Sequence, residues 1–214
     1  MKPLPTTALR LAGPAGALEV ALEDPGAPSP AAFAVVCHPN PTQGGTMQNK
    51  VVTTTARSLH LLGLPTLRFN YRGVGASEGA FDDGRGEIDD ALAVVAEGRR
   101  RWPDAALWLA GFSFGGVVAL RAAMRTEPAP TQLVTIAPAL DRYFDSADQV
   151  PVPPCDWLLV QGEADDVVDA AGVVRLTRSL SRPPRVALLP GVGHFFHGKL
   201  TELAETLARH LPRP

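Results

Sequence analysis

Short apolar runs recur along the chain and alternate with longer segments of mixed polar and apolar residues. Runs this short and this apolar are typical of strands buried on both faces, whereas the intervening segments are long enough for helices. The apolar runs are residues 33–37, 65–69, 105–110, 133–137, 157–161 and 186–189, and the helical segments are 48–62, 87–101, 114–125, 170–180 and 199–211. The alternation predicts an α/β fold with a mostly parallel sheet and helices on both faces.

The amino-terminal segment has a different pattern. Over residues 9–22 apolar positions alternate with others, and the segment is interrupted at residues 13–16 by Gly-Pro-Ala-Gly. Alternation around such a break predicts an antiparallel hairpin that leads into the parallel part of the sheet. The proline-rich residues 25–30 that follow are expected to form a surface connection.

Length and charge narrow the class of protein. A chain of 214 residues suits one domain over residues 1–214 and is short for two. A net charge of −2 gives neither the basic field that nucleic acid requires nor a polybasic patch for anionic lipid. No apolar run approaches the roughly 20 residues that span a bilayer. We therefore expect a cytoplasmic protein that binds neither nucleic acid nor membranes, with Cys37 and Cys155 as buried free thiols.

Two pentapeptides fit the pattern Gly-x-Ser-x-Gly, at residues 111–115 and 75–79. Ser113 follows an apolar run and precedes a helical segment, and a strand, a sharp turn and a helix are the setting of a nucleophile elbow. Ser77 has neither flank, because its glycine-rich surroundings continue as a loop. The flanks therefore predict Ser113 as the nucleophile and Ser77 as a loop serine that hydrogen-bonds to backbone.

A serine nucleophile needs an imidazole to take its proton and an acid to orient that imidazole. His194 lies in a glycine-rich loop after the last strand, where the base is expected in the chain order serine, acid, histidine. His60 and His210 fall in predicted helices, and His197 is predicted to begin the final helix. We therefore predict His194 as the base.

The acid is expected after the strand at residues 157–161, where Glu163, Asp165 and Asp166 are available. Asp165 and Asp166 are adjacent and cannot share one role. We expect one of the carboxylates to face His194 Nδ1 and another to cap the following turn, and the spacing alone does not choose between them.

An oxyanion hole needs two backbone N–H donors, and the residue after the nucleophile, Phe114, supplies one. The second is expected from the loop that follows the first parallel strand. Because the prolines on both sides of Asn40 have no N–H, Asn40 is the donor nearest the strand end. Gly44 and Gly45 are the alternatives on the same loop.

These parts together resemble the α/β-hydrolase superfamily over residues 33–211. His38 and the proline after it resemble the family's His-Gly oxyanion segment, with proline in place of glycine. Residues 69–77 resemble its Asp-x-Arg-Gly-x-Gly-x-Ser loop, with Asn70 where aspartate is usual, which assigns Ser77 to that loop. Residues 162–168 resemble its acid segment, in which the aspartate lies three positions after the glycine. The resemblance thus implies Asp165 as the acid.

A narrower resemblance rests on Gly-Gly-Thr-Met at residues 44–47, Asn-Lys at 49–50 and Gly-His-Phe-Phe at 193–196. These motifs are similar to those of small bacterial serine hydrolases loosely akin to dienelactone hydrolases. Larger relatives insert a cap where this chain has only residues 138–156, so the resemblance implies a minimal cap and an open site. Tyr143 and Phe144 in this segment are predicted to bind substrate, as part of an apolar wall with Phe112, Phe114 and Phe195.

The predicted function is hydrolysis of a carboxylic ester, or a related acyl bond of a small molecule, through an acyl-enzyme on Ser113 with His194 and Asp165. This chemistry needs no metal ion and no cofactor. The same three residues would also serve an acyltransferase or a thioesterase, because only the acceptor or the leaving group differs. A non-catalytic binding protein on a hydrolase fold is the remaining alternative.

Overall fold

A computed structural model describes residues 4–214. The strands are β1 (Thr7–Gly13), β2 (Gly16–Glu23), β3 (Ala32–Cys37), β4 (Thr66–Phe69), β5 (Ala106–Phe112), β6 (Gln132–Ile136), β7 (Asp156–Gly162) and β8 (Arg185–Leu189). The helices are α1 (Lys50–Leu61), α2 (Gly86–Arg101), α3 (Phe114–Ala123), α4 (Leu140–Tyr143), α5 (Ala170–Arg178) and α6 (Leu200–His210). Strands and helices follow the predicted pattern, with small shifts at their ends.

The strands form an eight-stranded sheet in the order β1-β2-β4-β3-β5-β6-β7-β8. β1 pairs antiparallel with β2, and β2 pairs antiparallel with β4, whereas the pairs from β4 to β8 are parallel. The predicted hairpin and the mostly parallel sheet are therefore confirmed. Because the parallel strands end at one edge, the loops after β3, β5, β7 and β8 can meet there.

Different helices cover the two faces of the sheet, as the alternation along β3 demonstrates. All residues of β3 are buried. Phe33 and Val35 pack into one apolar cluster with α2 and α3, whereas Ala34 and Val36 pack into a second cluster with α1 and α6. A strand covered on both faces has no solvent-facing position, which is why it is a continuous apolar run in the sequence.

Two helix starts differ from the predictions. α1 begins at Lys50 because the side chain of Asn49 accepts a hydrogen bond from Val51 N (2.8 Å) and caps the helix. The expectation that His197 begins the final helix is wrong. Gly198 adopts a φ of 69°, outside the helical region, and α6 begins only at Leu200.

The connection between β6 and β7 holds only α4 and a 3₁₀ turn at Ala147–Gln149, so the minimal cap is confirmed. Within residues 4–214, no helix combines the length and the apolar character needed to cross a membrane. Cys37 and Cys155 are both buried free thiols, as predicted. Burial raises the pKa of Cys37 to about 12, so this thiol lacks the thiolate form that a nucleophile needs.

Candidate active site

Ser113 lies on a one-residue turn between the end of β5 and the start of α3. Its backbone has φ 55° and ψ −120°, a strained conformation for a residue with a side chain. The neighbouring glycines make the turn possible. A Cβ on Gly111 would collide with the backbone of Gly115, and a Cβ on Gly115 would collide with the carbonyl of Cys37. The strand, turn and helix predicted around Ser113 are thus present.

Ser113, His194 and Asp165 form a continuous chain of hydrogen bonds. His194 Nε2 lies 3.0 Å from Ser113 Oγ, and His194 Nδ1 lies 2.8 Å from Asp165 Oδ2. An Nδ1–H that donates to the carboxylate leaves Nε2 as an acceptor for the serine hydroxyl. Ser113 and His194 are 9% and 3% exposed, and the Asp165 side chain is fully buried. The residues come from the loops after β5, β7 and β8, which meet at one edge of the sheet.

Asp165 performs both tasks that the sequence assigned to two different carboxylates. Its Oδ2 faces His194, and its Oδ1 accepts hydrogen bonds from Val167 N (2.9 Å) and Val168 N (2.8 Å). The expectation of two separate acids is therefore wrong, and Asp166 is exposed to solvent. Burial raises the pKa of Asp165, but the hydrogen bonds from His194, Val168 and Val167 outweigh it and hold the pKa below its usual value.

Gln161 is a site residue that sequence reasoning missed. It lies near the end of β7, is fully buried, and donates from Nε2 to Asp165 Oδ2 (2.9 Å). Together with His194 it fixes the direction of that carboxylate oxygen. The sequence feature that could have identified Gln161 is its amide side chain at the end of an otherwise apolar run. A buried amide at such a position needs a hydrogen-bond partner.

The loop after β3 brings Asn40 next to the serine. Asn40, Ser113 and His194 line a depression of about 60 Å³, which is completed by Pro39, Gln43, Gly44, Gly45, Asn49 and Phe195. The alternative donors are already used: Gly44 N donates to Pro41 O (3.1 Å) and Gly45 N donates to Asn40 O (3.0 Å). The backbone N–H of Phe114 belongs to the first turn of α3 and has no partner within the helix. The arrangement thus favours Phe114 and Asn40 as oxyanion donors.

Tyr143 and Phe144 lie away from this depression. The Tyr143 ring packs 5.9 Å from the Phe114 ring, and Phe144 is only 7% exposed, with the Arg121 guanidinium 5.1 Å from its ring centre. The short helix α4 turns both side chains toward α3. The aromatic side chain that does line the depression is Phe195, which is 46% exposed. Substrate binding by Tyr143 and Phe144 stays a prediction.

A larger cavity of about 410 Å³ lies at the opposite edge of the sheet. Its lining includes Gln132, Asp156 and Arg185, which begin β6, β7 and β8. Ligands of parallel α/β sheets bind beyond the carboxyl ends of the strands, where Ser113 and His194 lie. We therefore take the smaller depression as the candidate site.

A family model matches more than half of this chain, and known proteins resemble it over most or all of its length. Residues 29–147 match the family model described as serine aminopeptidase, S33. The crystal structure of an α/β serine hydrolase without lid from Xanthomonas campestris is 43% identical, with a TM-score of 0.88, and covers 100% of this chain and 99% of that one. The structure of an α/β serine hydrolase homologue from Coxiella burnetii is 38% identical, with a TM-score of 0.90 and coverages of 99% and 100%. An uncharacterised protein of Rickettsia prowazekii is 33% identical over 93% of this chain and 86% of its own length.

The chain belongs to the serine hydrolases of the α/β-hydrolase superfamily, in the S33 family. The resemblance to the α/β-hydrolase superfamily that the sequence motifs indicated is therefore confirmed. The narrower likeness to dienelactone hydrolases stays a prediction.

Proposed function

We propose that this serine hydrolase cleaves carboxylic esters of small molecules through an acyl-enzyme on Ser113. The observation that carries the proposal is the hydrogen-bond chain from Ser113 through His194 to Asp165, on a nucleophile elbow. A serine hydroxyl is a poor nucleophile by itself, and an oriented imidazole at 3.0 Å provides the base that it requires. Family membership supports hydrolase activity in general, and the ester substrate is our proposal.

In the first half of the reaction, Ser113 Oγ attacks the ester carbonyl while His194 Nε2 takes the hydroxyl proton. Asp165 stabilises the imidazolium that forms and holds its orientation. The backbone N–H groups of Phe114 and Asn40 receive the charge that develops on the carbonyl oxygen. His194 then gives its proton to the leaving alcohol. In the second half, His194 activates a water that releases the acyl group and restores Ser113.

The lining of the depression favours an ester over the amino-terminal peptide bond that the family description suggests. An aminopeptidase must bind the ammonium group of its substrate, which calls for a carboxylate near the nucleophile. Among residues 4–214, the residues that line the depression are three amides, two glycines, one proline and Phe195, together with Ser113 and His194, and none is acidic. A neutral ester needs no such counter-charge.

The size of the depression favours a short acyl group. A cavity needs at least about 10–15 Å³ of such space to hold one water. A depression of about 60 Å³ therefore has room for only a few non-hydrogen atoms. We propose acetyl to butyryl groups as the acyl portion. The minimal cap leaves the leaving-group side open, so the alcohol portion is less restricted.

Turnover of p-nitrophenyl acetate, followed with and without added methanol, tests the proposal. We expect acetate as the main product, because water enters an open site freely. Methyl acetate as the main product would indicate an acyltransferase instead. Absence of turnover on p-nitrophenyl esters and on acyl thioesters alike would contradict catalysis and favour a binding protein.

A further inference from the structure

His38 lies directly after β3 and is fully buried, yet it takes no part in the hydrogen-bond chain through Ser113. Both of its ring nitrogens have partners. Nδ1 lies 2.7 Å from Pro39 O, and Nε2 lies 3.2 Å from Tyr71 N. A backbone N–H only donates, so Nε2 accepts and the proton is on Nδ1. The imidazole therefore donates a hydrogen bond to the Pro39 carbonyl.

That carbonyl belongs to the peptide group whose N–H is the proposed second oxyanion donor. In a trans peptide, the C=O of one residue and the N–H of the next point in opposite directions in one plane. His38 holds the Pro39 carbonyl toward the protein interior, which turns the Asn40 N–H away from the interior. Asn40 lines the depression together with Ser113, which places this peptide group beside the candidate site.

The other groups of Asn40 are held as well. Its carbonyl accepts hydrogen bonds from Gln43 N (3.1 Å) and Gly45 N (3.0 Å). Its side-chain Oδ1 accepts from Thr42 N (2.9 Å) and caps a 3₁₀ turn at Pro41–Gln43. These bonds hold the carbonyl and the side chain of Asn40, and the His38 bond holds the Pro39–Asn40 peptide group that precedes them.

The imidazole is itself held in place by Tyr71. The two ring centres are 4.1 Å apart, and the Tyr71 ring contacts the Phe114 ring edge-on at 5.8 Å. Burial lowers the pKa of His38 to about 4, against the opposing effect of its bond to Pro39, so the ring is neutral at neutral pH. A neutral ring is the form in which Nε2 can accept from the backbone.

We propose that His38 is a positioning residue of the oxyanion hole. Its Nδ1–H fixes the Pro39–Asn40 peptide group so that the Asn40 N–H faces the oxyanion formed on the substrate. The inference rests on the proposed function, because it requires a tetrahedral intermediate on Ser113. His38 touches neither the substrate nor the reacting atoms.

Two variants of His38 distinguish the role of Nδ1 from the role of Nε2. In His38→Asn, the amide nitrogen can replace Nδ1 and donate to Pro39 O. In His38→Gln, the longer side chain can accept from Tyr71 N, but the donor to Pro39 O is lost. We expect H38Q to lower kcat on p-nitrophenyl acetate by about 10²-fold, the scale of one lost oxyanion donor. H38N should lose clearly less, and KM should change little in either variant.

A second pair of variants tests the Asn40 N–H itself. Asn40 has a φ of −53°, which proline adopts readily, so Asn40→Pro deletes the N–H at a compatible φ. Asn40→Ala loses the side chain and keeps the N–H. N40P should lower kcat more than N40A, and H38Q should add little to the loss in N40P, because both act on one donor. The affinity for a trifluoromethyl ketone, which forms an oxyanion on the serine, should fall in parallel with kcat.

Equal losses of kcat in H38Q and H38N, or additive losses in H38Q and N40P, would overturn the inference. Nitrogen-15 NMR of the wild-type imidazole needs no variant to fold and provides a second test. We expect the proton of His38 on Nδ1, and a proton on Nε2 would contradict the proposal. If the wild-type protein neither turns over esters nor reacts with a fluorophosphonate, the proposed function itself fails, which is a different outcome.

Discussion

Two serines of this molecule share the pattern Gly-x-Ser-x-Gly and nearly the same burial, 9% for Ser113 and 8% for Ser77. Their partners differ. Ser77 Oγ donates to Asn70 O (2.7 Å) and accepts from Glu19 N (2.9 Å), both backbone groups. Ser113 Oγ faces the imidazole of His194. A hydroxyl whose proton goes to a carbonyl joins two segments of the structure, whereas one whose proton can go to a base can become a nucleophile.

The backbone around the two serines accounts for this difference. Ser113 has a positive φ because β5 must turn into α3 within one residue, which lifts its side chain above the sheet edge. Ser77 lies in a loop, where its hydroxyl connects residues 70–77 to strand β2. The pentapeptide is therefore informative only together with the strand and the helix that flank it.

The largest effect expected from this comparison is on catalysis. Ser113→Ala should lower turnover of p-nitrophenyl acetate by about 10⁶-fold, the scale seen when a nucleophile is removed. Ser77→Ala should leave turnover unchanged and lower the free energy of unfolding by about 1–3 kcal/mol, because it leaves buried backbone groups without their partner. Steady-state kinetics and urea unfolding of both variants provide the measurements. Equal activity losses in the two variants would contradict the assignment.

A second, smaller contrast concerns the two neighbouring aspartates. Asp165→Asn should lower kcat by about 10⁴-fold, because an amide in place of the carboxylate disturbs the tautomer and orientation of His194. Asp166→Asn is the matched control, since Asp166 is exposed, and its activity should stay near that of the wild type. A greater loss in D166N than in D165N would mean that the acid is misassigned.

His38 is buried, as His194 is, but it lies outside the hydrogen-bond chain through Ser113. Its burial predicts an effect of pH on the stability of the fold. Burial lowers its pKa from 6.5 to about 4, so between these values the unfolded chain binds a proton that the folded chain does not. The free energy of unfolding should be highest above pH 6.5 and fall by about 3 kcal/mol as the pH drops to about 4. Urea unfolding across this range measures the slope. H38N lacks the titrating ring and should show a flatter curve, and identical curves would contradict a neutral buried His38.

The smallest expected effect concerns the substrate. From acetate and butyrate to octanoate, kcat/KM on p-nitrophenyl esters should fall by about tenfold or more, because the chain outgrows a depression of about 60 Å³. Phenyl acetate and ethyl acetate share the acyl group and differ only in the alcohol. After correction for the different reactivity of the two leaving groups, kcat/KM should depend less on the size of the alcohol than on the length of the acyl chain. A preference for octanoate would contradict the proposed acyl group.

Much of this arrangement could be predicted from the sequence because it depends on local patterns. Apolar runs gave the parallel strands, and the flanks of residues 111–115 distinguished Ser113 from Ser77. Chain order gave His194. The choice of Asp165 over Asp166 needed a family resemblance, because adjacent residues have the same spacing from the strand end and differ only in the direction of their side chains.

Other parts depend on contacts that no local pattern contains. The N–H groups of Gly44 and Gly45 are used within their own turn, which is visible only once the loop is folded. Tyr143 and Phe144 pack toward α3 and are not among the residues that line the depression, so their binding of substrate stays a prediction. The contact of His38 with Tyr71 joins the loops that follow two neighbouring strands, β3 and β4, so its role follows from the sheet order.

The most direct test of the account is to map the residue that a fluorophosphonate modifies. Wild-type protein and S77A should each carry one adduct, on the peptide that contains Ser113, and S113A should carry none when the digests are analysed by mass spectrometry. An adduct that persists in S113A, or that maps to Ser77 or another residue in the wild-type protein, would contradict Ser113 as the nucleophile.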